Sequence, residues 1–200
     1  MALIAQFPPP VASEPAAFGR IRKLSRPLEW LFTTLFGLGA ILLAVAVVAV
    51  LTYAGTRLQV RPGGMQIFID ARPPPLHPGW TTVGGLPLVQ KLALATSASL
   101  MMVPALAVLW QLRRLFRLYS AGVILTPANA RCMTTISLWL IAYAIAPTLG
   151  HILVALAGFH DEGWLRIDSV KALGLGLILL VIARVMAWGA EVHDDASRFV

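Results

Sequence analysis

Four long apolar runs, each bounded by charged residues, constrain this chain more than any other feature of its sequence. The first run covers residues 30–53, and no charged residue falls between Glu29 and Arg57. A bilayer core needs roughly 20 consecutive apolar residues in a helix. Leu, Ile, Val and Phe each favour insertion by about 0.3–0.6 kcal/mol at mid-membrane. This run therefore predicts a transmembrane helix.

The second and third runs predict two further spans, each containing a proline. Residues 92–112 form the second span, and Pro104 is expected to kink it. Residues 132–159 form the third span, whose extra length leaves room for tilt. Pro147 is expected to bend this third helix.

The fourth run is interrupted by a charge. Residues 172–183 are apolar, and Arg184 follows them directly. A charge at the centre of a bilayer costs about 2.5–3.5 kcal/mol. If the span covers residues 167–188, however, Arg184 lies one turn from its end, and its long side chain can reach the headgroups. We therefore predict a fourth span over residues 167–188.

The composition favours a membrane protein over a soluble one. Of the 200 residues, 58% are hydrophobic and 12% are charged, whereas about 25% of the residues in a soluble domain are charged. The net charge is +7, and the basic residues cluster beside the apolar runs. This placement predicts contact with anionic lipid at the cytoplasmic face rather than direct binding of nucleic acid. Cys132 is the single cysteine, which excludes an intrachain disulfide.

The distribution of lysine and arginine predicts the orientation. Ten of these residues flank the spans on the side that holds both chain ends, and six lie on the other side. Cytoplasmic flanks carry the excess of positive charge. We therefore expect a multi-pass protein of the inner (cytoplasmic) membrane with both termini inside the cell. Its predicted fold is all-α, a four-transmembrane-helix bundle.

Residues 1–27 and the loop between spans one and two have a different character. Residues 1–27 are rich in proline and carry four basic residues, Arg20, Arg22, Lys23 and Arg26, in their last eight positions. They therefore predict a disordered tail with a basic collar before the four-helix domain of residues 28–200. In the loop, residues 57–60 and 65–69 have the pattern of short strands around an Arg-Pro-Gly-Gly turn. We expect a small extracytoplasmic β-hairpin there.

The loop between spans two and three carries the most patterned polar residues. Arg113, Arg114 and Arg117 alternate with leucine and phenylalanine, which predicts that the second helix continues beyond the membrane with a basic face. Arg131 stands at the start of the third span. These four arginines are the candidate surface for a cytoplasmic protein partner or for anionic lipid.

The same loop contains signals for a helix end and a helix start. The Ala121-Gly122 pair is expected to end the second helix. Thr126 followed by Pro127 predicts the N-cap and the first position of the next helix, which becomes span three.

His151, in the outer half of the third span, and Arg184 are the candidate intramembrane polar residues. An ionisable side chain within a membrane is a functional candidate by default. The ordinary alternative for His151 is a neutral imidazole hydrogen-bonded to a neighbouring helix or to water. The cluster His160, Asp161 and Glu162 could bind a metal, but adjacent ligands seldom converge on one ion and no metal-spacing motif is present.

The sequence lacks the motifs of the common catalytic and cofactor sites. It has no nucleophile elbow, phosphate loop, zinc-protease helix or haem-attachment motif. We therefore expect no enzymatic activity, no catalytic residue and no cofactor. Small residues instead recur at four-residue spacing within three spans, which favours close helix packing in lipid; they are Ala40 and Ala44, Ala142, Ala146 and Gly150, and Ala172 and Gly176.

Residues 115–131, which read L-F-R-L-Y-S-A-G-V-I-L-T-P-A-N-A-R, resemble the inner loop of a bacterial membrane family known as domain of unknown function 2975. The acidic stretch of residues 189–195 and the final Phe199-Val200 also resemble that family, although Ala196 and Ser197 replace its usual charges. The resemblance extends over about residues 30–200. It implies a four-span membrane protein whose gene often neighbours small helix-turn-helix regulators, and thus a membrane partner for such a regulator.

Three hypotheses for the function remain open. The first is a regulatory or scaffolding protein that binds a cytoplasmic partner through residues 113–131 and the C-terminal helix. The second is a small transporter or channel, in which His151, Pro104 and Pro147 would matter. The third is a subunit of a larger membrane complex or oligomer. We rank the first above the third and the third above the second, because the patterned polar segments face one side and the spans contain little polar machinery.

Overall fold

The computed structural model describes residues 16–61, 64–67, 79–123, 126–158 and 167–197. Four long helices dominate these residues, and they are α1 (Ala16–Thr52), α2 (Leu88–Ser120), α3 (Pro127–Leu156) and α4 (Ile167–Ser197). Three short strands lie between α1 and α2, and they are β1 (Leu58–Arg61), β2 (Gly64–Ile67) and β3 (Thr81–Thr82). A single 3₁₀ turn, Val83–Gly85, connects β3 to α2.

All four helices contain a segment long and apolar enough to cross a bilayer. The shortest such segment, Asp168–Gly189 in α4, has 22 residues. At about 1.5 Å per residue it exceeds the hydrocarbon thickness of roughly 30 Å. The number and the order of the predicted apolar helices are therefore confirmed, and each is long enough to span a bilayer.

The ends of the helices differ from the predicted spans. Helix α1 begins at Ala16, so it includes part of the segment assigned to the tail, and residues 1–15 lie outside the described residues. Helix α3 ends at Leu156 because Gly158 adopts φ of 94°, a left-handed conformation that suits glycine. Helix α4 continues past the predicted end of its span to Ser197.

The helices pack in sequence order, α1 on α2, α2 on α3 and α3 on α4. Among the described residues, α1 and α4 share no extensive interface, although a closed bundle would bring them together. The predicted number of four helices is therefore confirmed, and these helices are arranged as an open row. In lipid no hydrophobic force drives the last pair together, since acyl chains cover an apolar helix face as well as another helix does.

Glycines mark the closest approaches between helices. A Cβ atom on Gly176 of α4 would lie 3.1 Å from the Ser137 carbonyl oxygen of α3. A Cβ atom on Gly150 of α3 would lie 2.5 Å from the Ser97 hydroxyl oxygen of α2. Both glycines are among the predicted packing positions, whereas Ala44 is exposed on α1. Small residues thus allow close backbone contact at α2–α3 and α3–α4.

The predicted hairpin is confirmed and is part of a three-stranded antiparallel sheet. The strand order is β2–β1–β3, and β1 pairs with β2 from Leu58↔Ile67 to Arg61↔Gly64. Strand β3 was not predictable from the sequence, because two threonines are too short for a recognisable alternation. The proline-rich residues 72–78, including His77, lie outside the described residues.

Two buried clusters hold the two ends of the helix row. At the sheet end, side chains from the sheet and the 3₁₀ turn pack on α1 and α2; the buried members are Val50, Leu58, Val60, Val83, Leu86 and Ala95. At the opposite end, Leu115 of α2 packs with Cys132 and Ile136 of α3. Because the second end carries the predicted arginine cluster, we call it the basic end.

Candidate functional site

The basic end brings the four predicted arginines onto neighbouring helices. Arg113, Arg114 and Arg117 occupy the last turns of α2, and Arg131 lies near the start of α3. The antiparallel contact of Leu115 with Cys132 places these two helix ends side by side. Three of the arginines are exposed, and Arg113 is half-buried.

Arg113 differs from the other three arginines because an aromatic ring holds it. Its guanidinium carbon lies 4.8 Å from the centroid of the Trp110 ring. This cation–π contact contributes about 0.5–1 kcal/mol at an exposed site. No hydrogen bond or ion pair engages Arg114, Arg117 or Arg131 among the side chains that the structure describes. These three guanidinium groups are thus available to a ligand.

Aromatic packing fixes the end of α2 against α1. The Phe32 ring of α1 stacks on Phe116 with centroids 5.4 Å apart, and Phe36 contacts Trp110 at 5.1 Å. The Ser120 hydroxyl lies 3.5 Å from a carboxylate oxygen of Glu29. This packing keeps the arginine-bearing turns of α2 helical to Ser120, as the sequence predicts.

A buried asparagine holds the turn between α2 and α3. Gly122 adopts φ of 79° at the end of α2, and Thr126 is the N-cap of α3, as predicted. Asn129 is 0% exposed and donates from Nδ2 to the Val123 carbonyl over 2.9 Å. Thr126 was expected to cap α3 with its side chain, but its buried Oγ1 has no hydrogen-bond partner among the described residues. Asn129 therefore replaces the threonine as the side chain that secures this turn.

The two candidate polar residues of the spans lie far apart. His151 is half-buried near the sheet end, beside the Gly150–Ser97 contact. Arg184 is exposed on α4. Leu179 packs against the basic-end cluster, so Arg184 lies still closer to that end. The structure does not combine His151 and Arg184 into one site.

The described residues contain no group of three or more His, Cys, Asp or Glu that could hold a metal ion. The candidate cluster His160, Asp161 and Glu162 lies outside the described residues. The expectations that the chain binds no metal and no cofactor stay predictions.

An apolar groove between α2 and α3 is the feature that sequence reasoning missed. Its volume is about 540 Å³, and its walls include Val103 and Pro104 of α2 and Trp139, Ala142 and Ile145 of α3. The groove lies between the two end clusters and is open at its side. Ala142 was predicted as a packing position, but it lines this groove instead. The sequence could not reveal the groove, because small apolar residues have the same pattern in a filled interface.

Comparison with known proteins gives one match. No curated protein and no solved structure matches the chain. The model of a family described as "Protein of unknown function (DUF2975)" matches residues 74–197, from the loop before β3 to the end of α4. This match includes both arginine-bearing helices, the turn with Asn129 and the groove. The chain, a multi-pass membrane protein with four apolar helices, therefore belongs to the DUF2975 family.

Proposed function

We propose that this chain is a non-enzymatic protein of the inner membrane that holds or modulates a cytoplasmic protein at its basic end. The observation that carries the proposal is the set of exposed arginines, which stand on helix ends fixed by aromatic packing and a buried asparagine. An acidic surface on the partner would complement these cations. A small helix-turn-helix regulator, the partner implied by the family resemblance, is the candidate that we favour.

Tryptophans support the view that the basic end extends beyond the membrane. Trp30, Trp110 and Trp188 are exposed at this end of three helices, and tryptophan is enriched at membrane–water interfaces. Beyond this level α2 continues to Ser120, a further rise of about 15 Å at 1.5 Å per residue. A soluble partner could therefore reach the arginines of α2 without entering the hydrocarbon.

The proposed orientation places both termini and the α2–α3 turn in the cytoplasm. We expect alkaline phosphatase fused after Gly122 to be inactive, and the same enzyme fused after Gly79 to be active, because phosphatase folds only outside the cytoplasm. Activity of the fusions on opposite sides of the membrane checks this prediction. The reverse pattern would show that the basic end faces outward and would remove the proposed cytoplasmic partner.

The partner itself is tested by purification of the full-length tagged chain in mild detergent. We expect an acidic soluble protein to co-purify in near-stoichiometric amount and to rebind the purified chain less tightly at higher salt. Replacing both Arg114 and Arg117 by glutamine should reduce this binding at least tenfold, because each exposed charge facing an acidic partner contributes to association.

A matched charge-loss variant at the sheet end serves as the control for the partner experiment. Arg57→Gln with Lys91→Gln also removes basic residues but leaves the basic end intact, so partner binding should be unchanged. Equal loss of binding in both variants, or no soluble protein bound to the wild-type chain, would contradict the proposed function.

The open helix row favours one alternative, a subunit of a larger membrane complex. Helices α1 and α4 each pack on only one other helix among the described parts of the chain. Their exposed apolar faces could bind other membrane subunits as well as lipid. Stoichiometric co-purification of membrane proteins, rather than a soluble one, would favour this alternative.

A further inference from the structure

The groove face of α2 leads directly to two of the exposed arginines. Val103, Trp110 and Arg117 follow one another at seven-residue intervals, which is about two helical turns. Arg114 stands fourteen residues after Leu100, another groove residue. Val103, Trp110, Arg114 and Arg117 are all exposed. They form a continuous strip along α2, apolar in the groove and cationic at the basic end.

Helix α3 carries a parallel strip with the same polarity. Ile145, Leu138 and Arg131 also lie at seven-residue intervals, and all three are exposed. Because α2 and α3 are antiparallel and pack through Leu115 and Cys132, both strips end in arginine at the basic end. One face of the α2–α3 pair thus combines a hydrocarbon groove with three cations.

The spacing between groove and arginines matches the depth of one lipid leaflet. Trp139 lies eight residues from Arg131, and Pro104 lies ten residues from Arg114. These separations correspond to about 12–15 Å along the helices. The hydrocarbon of one leaflet is about 15 Å deep, half of a bilayer core of roughly 30 Å. An acyl chain whose headgroup meets the arginines therefore reaches the nearer part of the groove.

The walls of the groove suit a hydrocarbon chain. The Ser99 hydroxyl already donates to the Ala95 carbonyl over 2.8 Å. The remaining walls near the basic end are aliphatic or aromatic, with Val103, Pro104, Trp139 and Ala142 among them. At the other end of the strip, guanidinium groups bind phosphate oxygens through paired hydrogen bonds.

We propose that this face binds an anionic phospholipid, with its phosphate at Arg114, Arg117 and Arg131 and one acyl chain in the α2–α3 groove. The site goes beyond the partner binding proposed above and does not require it, because purified protein and lipid suffice. The charge at one end makes the site selective, since a zwitterionic lipid fills the groove without neutralising the arginines.

Quenching of Trp139 by brominated lipid tests this site. The full chain is placed in vesicles of phosphatidylcholine containing increasing amounts of lipid brominated at mid-chain, either phosphatidylglycerol or phosphatidylcholine. The Trp139 signal is the part of the fluorescence that Trp139→Phe removes. We expect half-maximal quenching of this signal at a roughly tenfold lower fraction of brominated phosphatidylglycerol than of brominated phosphatidylcholine.

Two charge-matched variants make the result specific. Arg114→Gln with Arg131→Gln should abolish the difference between the two lipids. Arg26→Gln with Arg184→Gln removes as many exposed arginines from other helices and should preserve it. Ala142→Phe, which fills the groove, should reduce quenching by both lipids.

Two outcomes would overturn the proposal. One is equal quenching by the two brominated lipids in the wild-type chain. The other is a disulfide-linked dimer formed in vesicles by an Ile145→Cys variant, because a second copy of the chain would then cover the groove.

Discussion

Replacing Gly176 by leucine should weaken the packing of α4 on α3 and lower the thermal unfolding midpoint of the detergent-solubilised protein by about 2–10 °C. A Cβ atom at Gly176 would lie 3.1 Å from the Ser137 carbonyl oxygen, 3.0 Å from Ile141 Cγ1 and 3.3 Å from the Ile141 backbone nitrogen. Two of these three atoms belong to the backbone of α3 and cannot rotate away. The helices must therefore separate, at a cost of about 1–3 kcal/mol.

Gly174 provides a control on the same helix for the Gly176 experiment. A Cβ atom there would have no heavy atom within 4 Å, so Gly174→Leu adds the same side chain without a clash. Because leucine favours the helix over glycine, we expect an unchanged or slightly higher midpoint for this variant. Fluorescence-detected size exclusion after heating measures both variants. Equal midpoints for the two variants would show that α4 does not pack on α3 through Gly176.

The features that the sequence predicted correctly depend only on residues close together in the chain. A run of apolar residues in one helix predicts insertion without reference to the rest of the fold, so all four spans could be found. The hairpin and the α2–α3 turn were also predictable, because Gly122 and the residues around β1 and β2 carry their own turn chemistry. Exposure of Arg114, Arg117 and Arg131 followed from their position beyond the spans.

Features that depend on contacts between distant segments could not be predicted. Strand β3 exists because Thr81 and Thr82 pair with Val60 and Gln59, not because of any pattern of its own. The open row of helices depends on which apolar faces pack together. A helix that is apolar on all sides has no sequence pattern that identifies its packing face. The groove depends on that same choice of faces.

The hydrogen bond of the buried Asn129 is a further feature that the sequence did not predict. From the sequence, Thr126 was the residue expected to make the side-chain hydrogen bond of the α2–α3 turn, because threonine is a usual N-cap. In the structure the hydrogen bond comes from Asn129, whose Nδ2 reaches back six residues to Val123. Only the path of the intervening chain decides which side chain is close enough to bond.

At the sheet end, Gly84→Ala should loosen the contact between the 3₁₀ turn and Ala54, which lies two residues past the end of α1. A Cβ atom at Gly84 would lie 2.8 Å from the Ala54 carbonyl oxygen and 2.9 Å from its carbon. These are backbone atoms, so the turn or the segment after α1 must move, and Val83, which is 0% exposed, would lose part of its packing. We expect trypsin to cleave after Arg57, which is exposed in the adjoining segment, several-fold faster than in the wild-type chain.

Gly85, the neighbouring glycine, provides a control that distinguishes this clash from the general effect of replacing a glycine. At Gly85 the nearest heavy atom to an added Cβ is the Thr82 hydroxyl oxygen at 3.5 Å, an ordinary contact. Gly85→Ala should therefore leave cleavage after Arg57 at the wild-type rate. Each variant adds one methyl group, at one of two adjacent positions. A difference in cleavage rate between them is therefore caused by the close contact of Gly84 with Ala54. Equally fast cleavage in both variants would instead show that the turn needs the backbone freedom of glycine at both positions.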